Sequence, residues 1–171
     1  RSFICSYSTQ ADVSFVRASV RAIGRCALKL ESSADRCVNV LLYLLQSKIS
    51  YVVQEVIIVL TDMFRLYPGK DTSVIVPMCN AMNLLDEPRA RACIIWVIGE
   101  HSELIDNANE LLELFLDSYH DEKPSVQLQL LTATVKLFLK KPEKGKNLIA
   151  TLFTLATSET ISVDIRDRAF L

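Results

Sequence analysis

Residues 51–67 read YVVQEVIIVLTDMFRLY, and this stretch decides the fold. Apolar residues fill more than one side of the helix it forms, as expected of a helix that packs against its own partner and both neighbouring repeats. Its longest purely aliphatic run, Val56 to Leu60, is much shorter than the ~20 residues a membrane-spanning helix needs. A soluble inner-layer helix is the reading.

Outward from it, helical periodicity runs nearly everywhere, with apolar residues at Val16, Val20, Ile23, Ala27 and Leu30 and again at Val126, Leu130, Ala133 and Leu137. No stretch reads convincingly as a strand. Pairs of an apolar residue followed by a long polar one, Val16-Arg17, Val53-Gln54, Ala90-Arg91, Val126-Gln127 and Ile165-Arg166, recur at 53−16 = 37, 90−53 = 37, 126−90 = 36 and 165−126 = 39 residues. A near-constant interval of this kind marks a repeat array. Ahead of most pairs lies another amphipathic stretch, Ser33 to Ser47, Asp71 to Leu85, Asp106 to Tyr119 and Lys144 to Thr157, so each repeat is a helix pair. The interval exceeds the ~34 residues of tetratricopeptide repeats, whose aromatic pattern is absent, and lies nearest the HEAT/armadillo class. The expected fold is all-α, a HEAT/armadillo-type α-α superhelix. It would fill residues 1–171 as a single solenoid fragment of about four helix-pair repeats with partial repeats at the ends.

Pro68, Pro88, Pro124 and Pro142 fall where helices should begin or end. Asp71 and Asp106 can cap the first helices by accepting from unpaired backbone N–H groups. Gly24 and Gly99 lie inside second helices at ~1 kcal/mol each relative to Ala, a cost that close helix approach offsets. Arg17, Gln54, Arg91, Gln127 and Arg166 line up as a structural ladder reaching across the inter-repeat joints, with Asp12 and Asp86 as partners for Arg17 and Arg91.

Composition narrows the function. The 171 residues are 50% hydrophobic with a net charge of −1, which suits a large core and offers no broad cationic surface for a nucleic-acid backbone. Five cysteines, Cys5, Cys26, Cys37, Cys79 and Cys93, are odd in number and lack metal-ligand spacing, as in a reducing, intracellular setting. The chain starts on Arg1 and stops inside an apolar-periodic segment, so both ends read as cuts through a longer polypeptide.

No catalytic, cofactor or metal constellation emerges. His101 and His120 follow separate helices without ligand partners at suitable spacing. Phosphate-cradling and nucleophile motifs are missing. The carboxylate pairs Glu110/Glu113 and Asp121/Glu122 fall on expected exposed faces or loops with nothing to desolvate them. Lys140, Lys141, Lys144 and Lys146 form a basic cluster over a helix end and the following loop, where dipole complementation competes with contact to anionic lipid headgroups. Trp96 is read as core.

Several stretches in order, VRAIGRCALK (Val20 to Lys29), YVVQEVIIVLTDMFRLYP (Tyr51 to Pro68), LDEPRARACIIWVIGEH (Leu85 to His101), IDNANELLELFLDSYHDE (Ile105 to Glu122), VQLQLLTATVKLFLKKP (Val126 to Pro142) and DIRDRAF (Asp164 to Phe170), resemble the trunk of the β subunit, β-adaptin, of heterotetrameric clathrin adaptor complexes. The chain departs from that pattern mainly in Gly69 to Ser73 and Lys144 to Asn147, read as inter-helix loops. The resemblance implies a curved scaffold that holds the medium chain, pairs with the second large subunit, and joins a complex that also contains a small chain. It further implies a cytoplasmic protein, peripheral on Golgi or endosomal membranes or at plasma-membrane coated pits, with clathrin engaged through a hinge and appendage beyond the trunk. Candidate partner contacts are Leu30, Glu31, Ser32, Ser33, Tyr67, Gly69, Lys70 and Asp71, because each group follows a long helix. A generic HEAT scaffold from nuclear transport or phosphatase assembly is the alternative.

Overall fold

The structure, a computed structural model, describes residues 13–29, 31–67, 72–157 and 163–170. The chain divides into two compact units, Arg1–Asp86 and Glu87–Leu171. Both are built of helices packed on helices, and no strand occurs among the described residues. The architecture is all-α, of the HEAT/armadillo kind.

In the first unit, α1 (Val13–Lys29), α2 (Glu31–Leu45) and α3 (Ser50–Leu66) pack mutually. Helix α1 turns Val16, Val20, Gly24 and Ala27 inward, the spacing of four and three that a single apolar stripe requires. Helix α3, the stretch read first, buries an unbroken run from Val52 to Thr61, and then Phe64. That run includes Gln54 and Glu55, at 2% and 4% exposure, so both need partners. Glu55 accepts from Arg21 Nε at 2.7 Å.

The stretch from Asp71 to Leu85 does not form the one amphipathic helix its periodicity suggests. It divides into a 3-10 turn Thr72–Val74, the short α4 (Ile75–Asn80) and a second 3-10 turn Met82–Leu84. Pro77 lacks an N–H and is tolerated only in a first turn, which forces α4 to open just before it. Val74, Ile75, Met78 and Met82 are still buried, so the segment keeps its core face while losing continuity.

In the second unit, α5 (Pro88–Glu100) lies along α7 (Pro124–Lys140), which in turn packs on α8 (Pro142–Ala156). The shorter α6 (Ala108–Leu116), a 3-10 turn Tyr119–Asp121 and α9 (Val163–Phe170) complete it. Pro88, Pro124 and Pro142 each open a helix at its first turn, where the missing donor costs nothing; Pro68 lies outside the described residues. A Cβ on Gly99 would sit 2.7 Å from the Ala133 Cα, so the α5–α7 approach is possible only with glycine there. Ile165 is fully buried, while Phe170 is exposed.

Two further expectations are corrected. Asp106 does not cap a helix: α6 begins at Ala108 after Asn107, with no side-chain cap bond, and the Asp106 carbonyl is instead used by Lys144. Asp71 lies outside the described residues. Lys144 to Asn147 is not a loop, since α8 already starts at Pro142 and only Lys141 separates it from α7. Gly145 permits this tight joint, because a Cβ there would stand 2.6 Å from the Phe138 Cα.

Candidate functional site

Three sets of side chains were singled out by the sequence, and the structure gives each a different occupation. The recurring polar slot comes first. Gln54 donates to Ser50 Oγ at 2.8 Å and to the Asp86 carboxylate, while Ser50 Oγ donates to the Leu84 carbonyl at 3.1 Å. Arg91 donates to both carboxylate oxygens of Glu122, one of them at 3.2 Å, and to Ser118 Oγ at 3.4 Å. Its guanidinium lies 4.8 Å from the centre of the Phe115 ring, a cation–π arrangement. Gln127 Nε2 donates to the Tyr119 carbonyl at 2.7 Å.

The pairing differs from the expected one. Asp86 serves Gln54 and Arg91 serves Glu122, so the acid accepts from the preceding slot and lies five residues before the next one: 91−86 = 5 and 127−122 = 5. A helix-pair period carries Gln54 and Arg91 about one repeat forward, which a reading based on nearness in sequence misses, whereas Gln127 turns back eight residues to Tyr119. Asp12 lies outside the described residues, Arg17 is half-buried in α1, and Arg166 is half-buried in α9. Glu122 is also not a solvated carboxylate, since its side chain is 9% exposed beside Arg91.

The basic cluster is the second set. Lys140 Nζ donates to the Glu100 carbonyl at 2.5 Å, Lys141 Nζ to the Glu103 and Ile105 carbonyls at 3.3 and 3.4 Å, and Lys144 Nζ to the Asp106 carbonyl at 2.6 Å. Lys136 Nζ adds a 2.5 Å bond to the Glu100 carboxylate and lies 5.9 Å from the centre of the half-buried Trp96 ring. Carbonyls at a helix C-terminus lack intrahelical donors, and the lysines supply them along the turn after α5. Lys146 is exposed on α8. The Lys136 hydrogen bond holds the Glu100 carboxyl below its ordinary range. Burial lowers the His101 pKa beside it.

Tyr67 belongs to the third set, the candidate partner contacts. It is 46% exposed, and its hydroxyl donates to the Leu28 carbonyl at 3.1 Å, tying the end of α3 to the end of α1. Together with Leu28, Lys29, Asp35, Met63 and Phe64 it borders a cavity of about 260 Å3. Glu31, Ser32 and Ser33 lie in the first turn of α2. Leu30, Gly69, Lys70 and Asp71 are outside the described residues.

Among the described residues no cluster of three or more potential metal ligands occurs, and no helix is long and apolar enough to cross a membrane. None of the described cysteines forms a disulfide; burial pushes the Cys79 thiol up to about 11 and the Tyr119 phenol up to about 12, which makes both inert near neutrality.

Comparison with known proteins decides the family. The model of the adaptin N terminal region matches residues 2–171. The chain belongs to the adaptin family. The chain is 57% identical over 165 residues to the rat (Rattus norvegicus) AP-1 complex subunit beta-1, covering 96% of this chain and 17% of that protein. It is 52% identical to the AP-1 complex subunit beta of Dictyostelium discoideum, again over 96% of this chain and 18% of the relative. With the AP-2 complex subunit beta of Schizosaccharomyces pombe the identity is 37%, over 96% of this chain and 24% of the relative. The chain therefore spans about a quarter or less of the length of these relatives. In fold, 98% of it superposes with a TM-score of 0.73 and 18% identity on 32% of a chain from a homology model of the full-length AP-3 complex in an intermediate open conformation.

Proposed function

We propose that this adaptin segment is a non-catalytic part of the trunk of an adaptor-complex β subunit, a scaffold in vesicle-mediated intracellular transport. The observation that carries the reading is the 57% identity to an AP-1 beta-1 subunit over 96% of the chain, with family matching across residues 2–171. A HEAT scaffold from nuclear transport or phosphatase assembly has no comparable support.

In this reading the trunk docks the medium chain, the second large subunit and, through the complex, the small chain. Membrane association is peripheral, at Golgi or endosomal membranes or plasma-membrane coated pits, and clathrin is engaged by segments outside these 171 residues. The charged side chains support a scaffold role because they are spent on packing: Glu122 on Arg91, and Lys140, Lys141 and Lys144 on backbone carbonyls. Tyr67, exposed beside a cavity, is the described residue best placed to meet a partner.

Affinity purification of the full-length protein tests the reading. Medium and small chains should co-purify in stable proportion, and Tyr67→Ala should weaken medium-chain recovery while leaving thermal unfolding within about 1 kcal/mol of wild type. Recovery of a phosphatase or a nuclear-transport partner in their place would overturn it.

A further inference from the structure

The turn after α6 reads Asp117-Ser-Tyr-His-Asp-Glu122 and presents a hydroxyl in a setting that packing alone does not require. Ser118 Oγ donates to Glu122 Oε1 at 3.1 Å and accepts from Arg91 Nη2 at 3.4 Å. Ser118 is half-buried, and Asp117, His120, Asp121 and Lys123 around it are exposed. Carboxylates occupy the third and fourth positions beyond the hydroxyl, Asp121 and Glu122, the arrangement that acidic-directed serine kinases read. We propose that Ser118 is a phosphorylation site, and that the phosphate takes the Arg91 guanidinium from Glu122.

The step transfers the γ-phosphoryl group of a nucleoside triphosphate. A bond forms between Ser118 Oγ and phosphorus, the bond from phosphorus to the β–γ bridging oxygen breaks, the diphosphate leaves, and the hydroxyl proton passes to the base of the kinase. The product carries about −1.5 to −2 charge and three acceptor oxygens. These start from an atom already within hydrogen-bonding reach of Arg91, whose planar fork binds phosphate as readily as carboxylate. Glu122 cannot share the site with a dianion at so short a range, so it turns out to solvent. The modification thus exchanges the partner of one ladder residue and unlatches the Tyr119–Glu122 turn from α5.

The test uses the protein incubated with ATP and a purified acidic-directed casein kinase, with a linear peptide of residues 112–124 as reference. Fragmentation mass spectrometry should place one phosphoryl group on Ser118 of the folded protein, and Ser118→Ala should abolish it. Phosphorylation of the peptide but not of the protein, or of neither, would overturn the site. Capture by Arg91 is read by phosphorus NMR titration: the second ionisation of the phosphoserine, ordinarily at pH ~6, should occur at lower pH in the protein than in its Arg91→Gln variant. Gln fills the same slot at positions 54 and 127 and keeps an amide donor, and circular dichroism of the variant checks that it is folded before the titration is read. Equal midpoints in the two proteins would refute the exchange of partners.

Discussion

Arg91 and Glu122 hold one another across 31 residues of chain by a two-pronged guanidinium–carboxylate pair, with Phe115 beneath the guanidinium and Ser118 bonded to both partners. Side-chain exposures of 22% and 9% put the pair in the range where removing one partner strands the other. Glu122→Ala should therefore cost about 3 kcal/mol, measured by chemical denaturation. Arg91→Ala should cost a similar amount, and the double variant much less than the sum. Strict additivity would show that the two do not act as a unit.

The α5–α7 crossing makes a second case. Alanine at position 99 would gain ~1 kcal/mol in helix propensity, but its methyl would stand 2.7 Å from both the Cα and the Cβ of Ala133. Overpacking against backbone outweighs propensity, and Gly99→Ala should lower stability by about 1–2 kcal/mol net, seen as a lower thermal midpoint. A raised midpoint would mean the helices can separate without loss.

The lysine row is expected to act on backbone rather than on lipid. Replacing Lys140, Lys141 and Lys144 together by Met keeps the stems and removes the donors, so amide exchange across residues 101–107 should speed up. Exposure limits the loss of global stability to about 1–2 kcal/mol for all three. Sedimentation with vesicles containing phosphatidylserine should match wild type; a large drop in the variant would restore the lipid reading for Lys140, Lys141 and Lys144.

Acid should act in two separable windows. His101 has its pKa lowered by burial from 6.5, so the unfolded chain takes up more protons and stability falls as pH drops below about 6.5. Glu100, lowered from 4.5 chiefly by its hydrogen bond to Lys136, contributes stability above 4.5 that disappears as pH falls through its folded value. His101→Gln should flatten the upper window alone, and Glu100→Gln the lower one, in denaturation curves collected from well below pH 4.5 up to pH 8.

The fold was readable because its signal is redundant. The apolar stripe of α1, the all-round burial of α3 and the prolines at positions 88, 124 and 142 each carry the repeat independently. What escaped was short-range detail that depends on three-dimensional approach. Pro77 divided a helix whose periodicity looked whole, and Lys144 to Asn147, read as a loop where the chain departs from the family pattern, belongs to the first turns of α8, which Pro142 opens. What the linear order hid is that Gly145 lets α8 lie close against Phe138. Among the candidate residues, the slot was visible as an interval of about 37 residues, while its partners were not. Asp86 and Glu122 are reached from the repeat behind, and nothing in the linear order favours a partner some 30 residues away over one five residues away.

Lys141 is at once the last cap of α7 and the first of α8, so the two helices are joined by a strut one residue long, about 3.5 Å of chain. A joint that short lets α8 slide hardly at all along α7, and the angle between the two helices is set by the two backbone torsions of Lys141 together with the packing of their faces. Because the same residue reaches the Glu103 and Ile105 carbonyls with its side chain, a change in the angle between α7 and α8 carries with it the contact to the turn after α5.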